Sequence, residues 1–184
     1  MNRPAQFAPP FVALGFTAAE YLRLLASGGL TDIRTELVRG EIVKMMPSYL
    51  AHGEAHLTIG ARLMQAYGGS ARIAADLMIA IGPDTIRAAD IAVVRPDAPR
   101  DRPVDPADLL LVVEIASTSL VEDMGAKLAD YAAAGIADYW VVDLEGGVTH
   151  VMAEPGDGRY AQRRIARFGE PVAVPGTDAT IVVD

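Results

Sequence analysis

The sequence predicts a mixed α/β domain, in which helices and strands alternate along most of the chain. Apolar residues that recur every three to four positions indicate helices, and short aliphatic runs bounded by glycine or proline indicate strands. The most apolar of these runs, residues 109–113, is typical of a central strand covered on both faces. These observations predict a sheet with helices packed against it.

A proline-rich arm and a short helix are expected at the start. Residues 1–16 contain one positive charge and no long apolar run, so we expect a flexible arm rather than a signal peptide. Thr17 and Glu20 have the spacing of a capping box. The apolar residues after them predict a helix that ends at Gly28. We expect residues 17–184 to form a single folded domain.

A hairpin and a second helix are predicted next. The strand-like runs 36–38 and 41–43 flank Arg39-Gly40, a two-residue link that is typical of a β-hairpin. Apolar residues at helical spacing then predict a helix over residues 52–67, which Gly68 ends.

Three strands, a helix and a fourth strand follow. Strands are predicted over 72–81, 88–94 and 109–115, a helix over 121–134, and a buried strand over 138–142. Weaker strands are predicted over residues 148–152, 160–166 and 180–183.

Composition excludes several classes of protein. The 184-residue chain has no cysteine, which rules out disulfides, thiolate metal sites and a catalytic thiol. Its net charge of -8 argues against tight, sequence-independent binding along nucleic acid. No segment is long enough to span a membrane, and phosphate-binding and serine-hydrolase motifs are absent. We expect a cytoplasmic protein.

Two carboxylates interrupt runs that otherwise have the pattern of buried strands. Asp90 precedes Ile-Ala-Val-Val, and Glu114 directly follows five apolar residues. A buried carboxylate without a partner is strongly unfavourable. Each is therefore expected either to reach solvent at the end of its strand or to have a cationic partner. Two carboxylates on neighbouring strands are the oxygen ligands that magnesium prefers.

Lys127 is the candidate cation of the site. The chain contains fourteen arginines and only two lysines. Lys127 is four residues from both Asp123 and Tyr131, so the three share one face of the predicted helix. Two interpretations remain open: an exposed ion pair with Asp123, or an ammonium that polarises a water or a phosphate oxygen. Lys44, the other lysine, is the weaker candidate.

His52 and His56 suggest an alternative metal site. They are four residues apart on the predicted second helix, a spacing at which two imidazoles can share one ion. Glu54 lies on another side of that helix, and the sequence has no HExxH motif. A zinc hydrolase is therefore a weaker hypothesis than two half-buried histidines of ordinary structural role.

Four segments carry a resemblance to a known family. They are Glu-Leu-Val-Arg-Gly-Glu-Ile-Val (36–43), Asp-Ile-Ala-Val-Val (90–94), Val-Glu-Ile-Ala-Ser-Thr-Ser (113–119) and residues 123–143. Together they resemble the Uma-two family of bacterial restriction endonucleases, formerly a domain of unknown function, in the PD-(D/E)xK nuclease superfamily. The resemblance runs from about Thr17 to the C-terminus.

The resemblance implies a restriction-endonuclease-like αβββαβ core, with an N-terminal helix and hairpin and additional C-terminal strands. It implies that Asp90, Glu114 and the main-chain carbonyl of Ile115 bind Mg²⁺ or Mn²⁺, and that Glu36 adds a further carboxylate. Members of the superfamily hydrolyse phosphodiester bonds with a metal-activated water. We therefore expect a magnesium-dependent endonuclease with DNA as its substrate, which acts as a homodimer.

Two positions depart from the superfamily signature. Ala89 stands in place of its proline, and Ala116 in place of its lysine. The family pattern places a lysine at Lys127, and lysines that have moved to the following helix are known in the superfamily. The departure at Ala116 keeps an alternative open, in which the chain is a catalytically inactive binding or assembly module.

Overall fold

The computed structural model describes residues 14–47 and 49–184. Most of the predicted arm, residues 1–13, therefore lies outside the described residues. The described chain forms an eight-stranded sheet with helices on both faces, and a separate two-stranded sheet. Within those ranges, no helix is both long enough and apolar enough to cross a membrane.

The first helix, α1 (Ala18–Ala26), has the predicted capping box. The Glu20 N–H donates to Thr17 Oγ1 at 3.2 Å, and the Thr17 N–H donates to the Glu20 carboxylate at 2.9 Å. These bonds satisfy N–H groups that have no partner within the helix. Tyr21 is buried, and its hydroxyl donates to the Thr35 carbonyl at 2.8 Å, which fixes the helix against the strand that follows.

The predicted hairpin consists of β1 (Thr35–Val38) and β2 (Glu41–Lys44). Arg39 and Gly40 at its tip have φ values of 50° and 82°, the left-handed conformations that a tight two-residue hairpin link requires. A Cβ atom on Gly40 would lie 2.9 Å from the Cα of Gly15. The close approach of these two backbones therefore requires glycine.

The central part of the chain confirms the predicted order of helix, three strands, helix and strand. Its elements are α2 (Leu50–Tyr67), β3 (Arg72–Gly82), β4 (Thr85–Val94), β5 (Leu109–Ala116), α3 (Leu120–Glu122), a π-helical segment (Asp123–Lys127), α4 (Leu128–Ala133) and β6 (Asp138–Asp143). β5 is buried along almost its whole length, as its apolar run predicts.

Four strands complete the chain. They are β7 (Val148–Gly156), β8 (Arg159–Arg167), β9 (Pro171–Ala173) and β10 (Thr180–Val182). The large sheet has the order β2-β1-β4-β5-β6-β7-β8, with β3 also paired to β4. β5 and β6 are parallel, and the other neighbouring strands are antiparallel. The mixed sheet that the sequence predicts is thus confirmed.

Three local predictions differ from the structure. The helix expected over 121–134 is interrupted by the π-helical segment, which periodicity alone does not reveal. β4 begins at Thr85 rather than at residue 88, because the charged Arg87 hides the strand pattern. Strand β9 and a 3₁₀ turn at Pro106–Asp108 were not predicted from the sequence.

Two apolar clusters cover the faces of the sheet. The α2-side cluster joins α2 to inward-facing residues such as Ile91 and Val113. The α4-side cluster joins α4 to the opposite faces of the same strands, for example at Val112 and Ala116. The core strands β4 and β5 therefore lie between two helical layers.

The edge of β4 that faces β5 is only partly paired. β1 pairs with it at Ile86, and β5 pairs with it from Ile91 onward. Between these points, the Ala88 N–H donates to the Glu36 carboxylate at 2.9 Å, and the Ile115 N–H donates to the Asp90 carboxylate at 2.8 Å. Side chains thus replace the backbone ladder in this gap, and the gap holds the predicted site.

Asp90 lies where the odd-numbered side chains of β4 switch from one face of the sheet to the other. Ala89 belongs to the α4-side cluster, whereas Ile91, two residues later, belongs to the α2-side cluster. Residues two apart on a regular strand share one face, so the alternation is interrupted at Asp90. Asp76 occupies the facing position of β3 and has a φ of 52°. This irregularity directs the Asp90 side chain into the gap.

Candidate active site

Glu114 and Lys127 form an ion pair inside the protein. Lys127 Nζ lies 3.0 Å from Glu114 Oε2, and the Tyr131 hydroxyl donates to Glu114 Oε1 at 2.8 Å. Glu114 is 1% exposed and Lys127 is 8% exposed. The exposed Asp123 to Lys127 pair considered from the sequence is therefore wrong in its exposure, although the two side chains do lie 3.7 Å apart.

Lys127 is surrounded by acceptors from three strands and its own helix. Its ammonium lies 3.6 Å from the Glu36 carboxylate and 3.5 Å from the Ala88 carbonyl. Lys127 is the last residue of the π-helical segment. A π turn shifts the side chains that follow it around the helix axis, and such turns are frequent at functional sites.

The charges of Lys127 and of the carboxylates around it depend on one another. Burial opposes the charge on Lys127, but the carboxylates of Glu114, Glu36 and Asp123 outweigh it and raise the pKa of Lys127 above its usual range. Burial also raises the pKa of Glu114 above its ordinary value, and the positive charge of Lys127 opposes that shift. A buried carboxylate with a raised pKa gains from any further cation that approaches it.

Asp90 is close to this pair but does not contact it. Its Oδ2 accepts the Ile115 N–H and lies 3.2 Å from His52 Nε2. Burial raises the pKa of Asp90, yet these hydrogen bonds and the charge of Lys127 outweigh it, so the pKa is below its ordinary value. Asp90 is therefore a carboxylate, not a carboxylic acid, at neutral pH.

Asp90 and Glu114 lie on adjacent strands at facing positions. The register that pairs Ile91 with Val113 brings the two acidic residues opposite each other immediately beyond the last regular pair. Their side chains have different partners: Glu114 contacts Lys127 and Tyr131 on the α4 side, whereas Asp90 contacts His52 of α2.

The donor set matches the chemistry of magnesium. Mg²⁺ binds one or two carboxylates and keeps several of its waters, and Asp90, Glu114 and the carbonyl of Ile115 supply oxygens of that kind. Among the residues that the structure describes, no group of three or more His, Asp or Glu side chains is arranged to hold an ion. A metal site among these residues would therefore contain fewer than three such side chains, and a bound Mg²⁺ would keep several of its waters.

Glu36 lies beside Lys127 but binds other groups more closely. Its Oε2 lies 3.0 Å from Arg87 Nη1, and its Oε1 accepts the Ala88 N–H. Arg87 is 2% exposed and also donates two hydrogen bonds to Asp130 Oδ2, at 2.9 and 2.7 Å. The arginine therefore joins β1, β4 and α4 through Glu36 and Asp130.

Arg87 and Tyr131 were missed as site residues by the sequence analysis. Arg87 lay outside the predicted strand, and Tyr131 entered only as part of a helical row. A signal for Arg87 does exist, because a charge between Ile86 and Ala88 interrupts an apolar pattern in the same way as Asp90 does.

The two histidines of α2 are both used in binding Asp90. His52 faces its carboxylate, and His56 Nε2 donates to its main-chain carbonyl. The two rings are 6.2 Å apart. They orient Asp90 from the α2 side, and this contact accounts for their spacing on the helix without a zinc ion.

Two positions that the sequence singled out, Lys44 and Ala116, are not part of the ion pair. Lys44 is exposed at the end of β2. Ala116 is buried in the α4-side cluster, on the face of β5 against which Lys127 lies. An ammonium from the helix therefore approaches the same face that a lysine at position 116 would occupy.

A sizeable cavity lies elsewhere. It has a volume of about 520 Å³, runs along β3, and is lined by apolar residues together with Arg72, Arg100 and Arg102. None of the predicted site residues lines it. The candidate site is therefore a gap in the sheet and lies outside this cavity.

Comparison with known proteins gives a family and a fold. The sequence matches the Uma2 family, described as "Putative restriction endonuclease", over residues 18–181. The fold is similar to the crystal structure of "a putative nuclease belonging to DUF820" from Anabaena variabilis ATCC 29413. The TM-score is 0.68 and the identity 18%, over 91% of this chain and 95% of the other. No curated protein matches the sequence. Because the family match spans almost the whole chain, this protein belongs to the Uma2 family, as its sequence motifs predicted.

Proposed function

We propose that the protein is a metal-dependent endonuclease that hydrolyses phosphodiester bonds of DNA. Membership of a restriction-endonuclease family supports a nuclease. The observation that carries the proposal is the Glu114 to Lys127 ion pair at 3.0 Å, buried beside Asp90 in the gap between β1 and β5. Carboxylates that can hold a metal ion, with an ammonium nearby, are the groups that metal-assisted phosphodiester hydrolysis uses.

In this proposal Asp90 and Glu114, with the carbonyl of Ile115, hold Mg²⁺ or Mn²⁺. The bound ion would supply an activated water and offset charge that develops on the phosphate. Lys127 remains charged at neutral pH because three carboxylates surround it. Its N–H groups can therefore donate to the attacking water or to a phosphate oxygen, which stabilises the negative charge of the transition state.

Hydrogen bonds and ion pairs that hold the carboxylates of Glu36 and Asp90 in place support the proposed nuclease function. Glu36 holds the ammonium of Lys127 from the β1 side while Arg87 and the Ala88 N–H fix its carboxylate. His52 and the Ile115 N–H fix Asp90. Groups that are locked by such contacts lose little freedom when substrate binds, which favours catalysis.

The proposed substrate contact is local rather than extended. With a net charge of -8, the protein repels polyanions over most of its surface. A bound divalent ion and Lys127 would concentrate positive charge where the scissile phosphate lies. We further propose that the protein acts as a homodimer in the cytoplasm.

A nuclease fold without turnover is the second candidate. Both oxygens of Glu114 already have protein partners, and Ala116 replaces the usual lysine. In that case the chain would be a binding or assembly module, and it would bind no divalent ion at this site.

Plasmid nicking tests the proposal. Supercoiled DNA is incubated with the protein in magnesium or manganese, beside Asp90→Asn, Glu114→Gln and the control Asp138→Asn, which removes a carboxylate from β6 outside the site. We expect nicking by the wild type and by Asp138→Asn only. Equal nicking by all four proteins would indicate a contaminant. No nicking, together with no heat of manganese binding by calorimetry, would favour the inactive module.

A further inference from the structure

A small cavity adjoins the proposed active site on the α1 side of the sheet. Its volume is about 170 Å³, and its walls come from α1, β1, β3 and β4. Its lining includes the side chains of Tyr21, Leu25, Ile33, Met45 and Met78. The cavity is therefore apolar, with an aromatic ring and two methionines among its walls.

The register of the sheet places this cavity next to Asp90. Ala88 forms part of its lining and pairs with Met78 on β3. Ala88 is two residues before Asp90 on β4, which corresponds to about 7 Å along a strand. A group bound in the cavity would thus lie within about the length of one nucleotide of a phosphate bound to the ion that Asp90 is proposed to hold.

The charged pair Arg34 and Asp76 also lines the cavity. Their side chains form an ion pair and are 54% and 48% exposed. Asp76 has a left-handed φ of 52° at the position that faces Asp90, a conformation uncommon for residues other than glycine. Both charged groups are therefore part of the cavity wall and accessible to solvent.

These features together match the chemistry of one nucleobase. A base has flat apolar faces, which bind aromatic and polarisable side chains, and a polar edge. The cavity is smaller than the roughly 300 Å³ of sites for drug-sized ligands, so a single ring system fits. Arg34 offers a guanidinium for the phosphate of the same nucleotide, and Asp76 an acceptor for the edge of the base.

We infer that this cavity binds the base of the nucleotide next to the scissile phosphate, so that the preferred substrate is single-stranded DNA. The inference rests on the proposed function. In a duplex the bases are stacked and paired, and removing one from the stack is unfavourable. A single strand offers its bases without that penalty.

Binding measurements test the inference without requiring cleavage. Fluorescence anisotropy in calcium compares three fluorescein-labelled ligands of equal length: oligothymidine, the same strand with every base removed, and a duplex of it. We expect the wild type to bind oligothymidine about tenfold more tightly than the abasic strand, which reflects the loss of base stacking. The duplex should bind no better than the abasic strand.

Two matched pairs of variants locate the effect. Met78→Ala should remove most of the preference for bases, whereas Met64→Ala, an exposed methionine of α2 away from this cavity, should leave it intact. Arg34→Gln should weaken both strands alike, through the phosphate. Arg62→Gln, which also removes an arginine from an exposed ion pair, should change neither.

The outcomes separate this inference from the proposed function. Equal affinity for oligothymidine and the abasic strand, in a protein that nicks plasmid in magnesium, would overturn the base site and leave the nuclease intact. A base preference that Met78→Ala retains would also overturn it. A wild type that binds none of the three ligands and nicks no plasmid would overturn both.

Discussion

Lys127 Nζ lies 3.0 Å from Glu114 Oε2, and neither residue has appreciable contact with solvent. The lysine is contributed by a π-helical segment and the glutamate by the central strand. Because two further carboxylates, Glu36 and Asp123, lie within 3.7 Å of the same ammonium, this cation neutralises more than one buried anion. Stability and the proposed chemistry therefore depend on the same residue.

Replacement of Lys127 by methionine should lower the stability of the protein and abolish the proposed activity. Loss of one partner from a buried ion pair costs about 3–5 kcal/mol, so we expect a decrease of that size in the free energy of unfolding, measured with urea, and no plasmid nicking. Lys44→Met is the control, because Lys44 is exposed and its loss should change stability by less than about 0.5 kcal/mol. Similar stability for the two variants would contradict the buried pair.

Lys127→Arg gives a second measurement, which does not depend on the folding of Lys127→Met. It keeps the positive charge but replaces a compact ammonium by a planar guanidinium. We expect a folded protein with nicking reduced by at least about tenfold. Full activity in this variant would show that charge alone, rather than the ammonium, is sufficient.

Tyr131 should act as a positioning residue for Glu114. Tyr131→Phe removes the hydrogen bond to Oε1 and should lower the free energy of unfolding by about 1–3 kcal/mol, with weaker manganese binding by calorimetry. Tyr160→Phe is the matched control, because Tyr160 is also buried and donates to the Ile136 carbonyl at 2.9 Å. It should lose comparable stability but bind manganese as the wild type does.

Arg87 and Glu36 should be energetically coupled. A double-mutant cycle with Arg87→Met and Glu36→Gln is expected to give a coupling free energy of about 1–3 kcal/mol, because each single change leaves a buried charge without its partner. The exposed pair Arg62 and Asp184 provides the comparison. Its cycle should give less than about 1 kcal/mol. Equal coupling in the two cycles would argue against a buried network at Arg87.

Divalent metal should stabilise the folded protein. An ion that binds only the native state raises its stability by about 2.7 kcal/mol when present at one hundred times its dissociation constant. We expect manganese to raise the Tm of the wild type and to leave the Tm of Asp90→Asn unchanged. Stoichiometric zinc that survives Glu114→Ala but is lost in His56→Ala would instead favour the histidine site.

Alkaline pH should reveal the burial of Tyr67. Burial, and to a smaller extent the charge of Asp138, raises the pKa of Tyr67 from 10.0 to about 12. Between these values the unfolded chain has lost a proton that the folded protein keeps, so stability falls as pH rises through this window. In urea titrations Tyr67→Phe should lose less stability over the window than the wild type. Tyr49→Phe, at an exposed position, should behave as the wild type.

Much of the fold was predictable because its signals are local. The capping box at Thr17, the hairpin link at Arg39-Gly40 and the apolar run of β5 each report on a few consecutive residues, and the structure confirms all three. Boundaries were less predictable where a charge falls inside a strand. Arg87 hid the start of β4, since its partners Glu36 and Asp130 lie 51 and 43 positions away in sequence.

By itself, the sequence determined the order of the elements and drew attention to Asp90, Glu114 and Lys127, because charges stand out against apolar periodicity. Only the tertiary structure decided that Lys127 and Glu114 make direct contact, and that Arg87 holds Glu36 beside them. It also decided that β1 and β5 leave a gap along β4. The reason is physical: strand and helix patterns arise from neighbours along the chain, whereas a buried charge is stable only with partners that folding brings from distant segments.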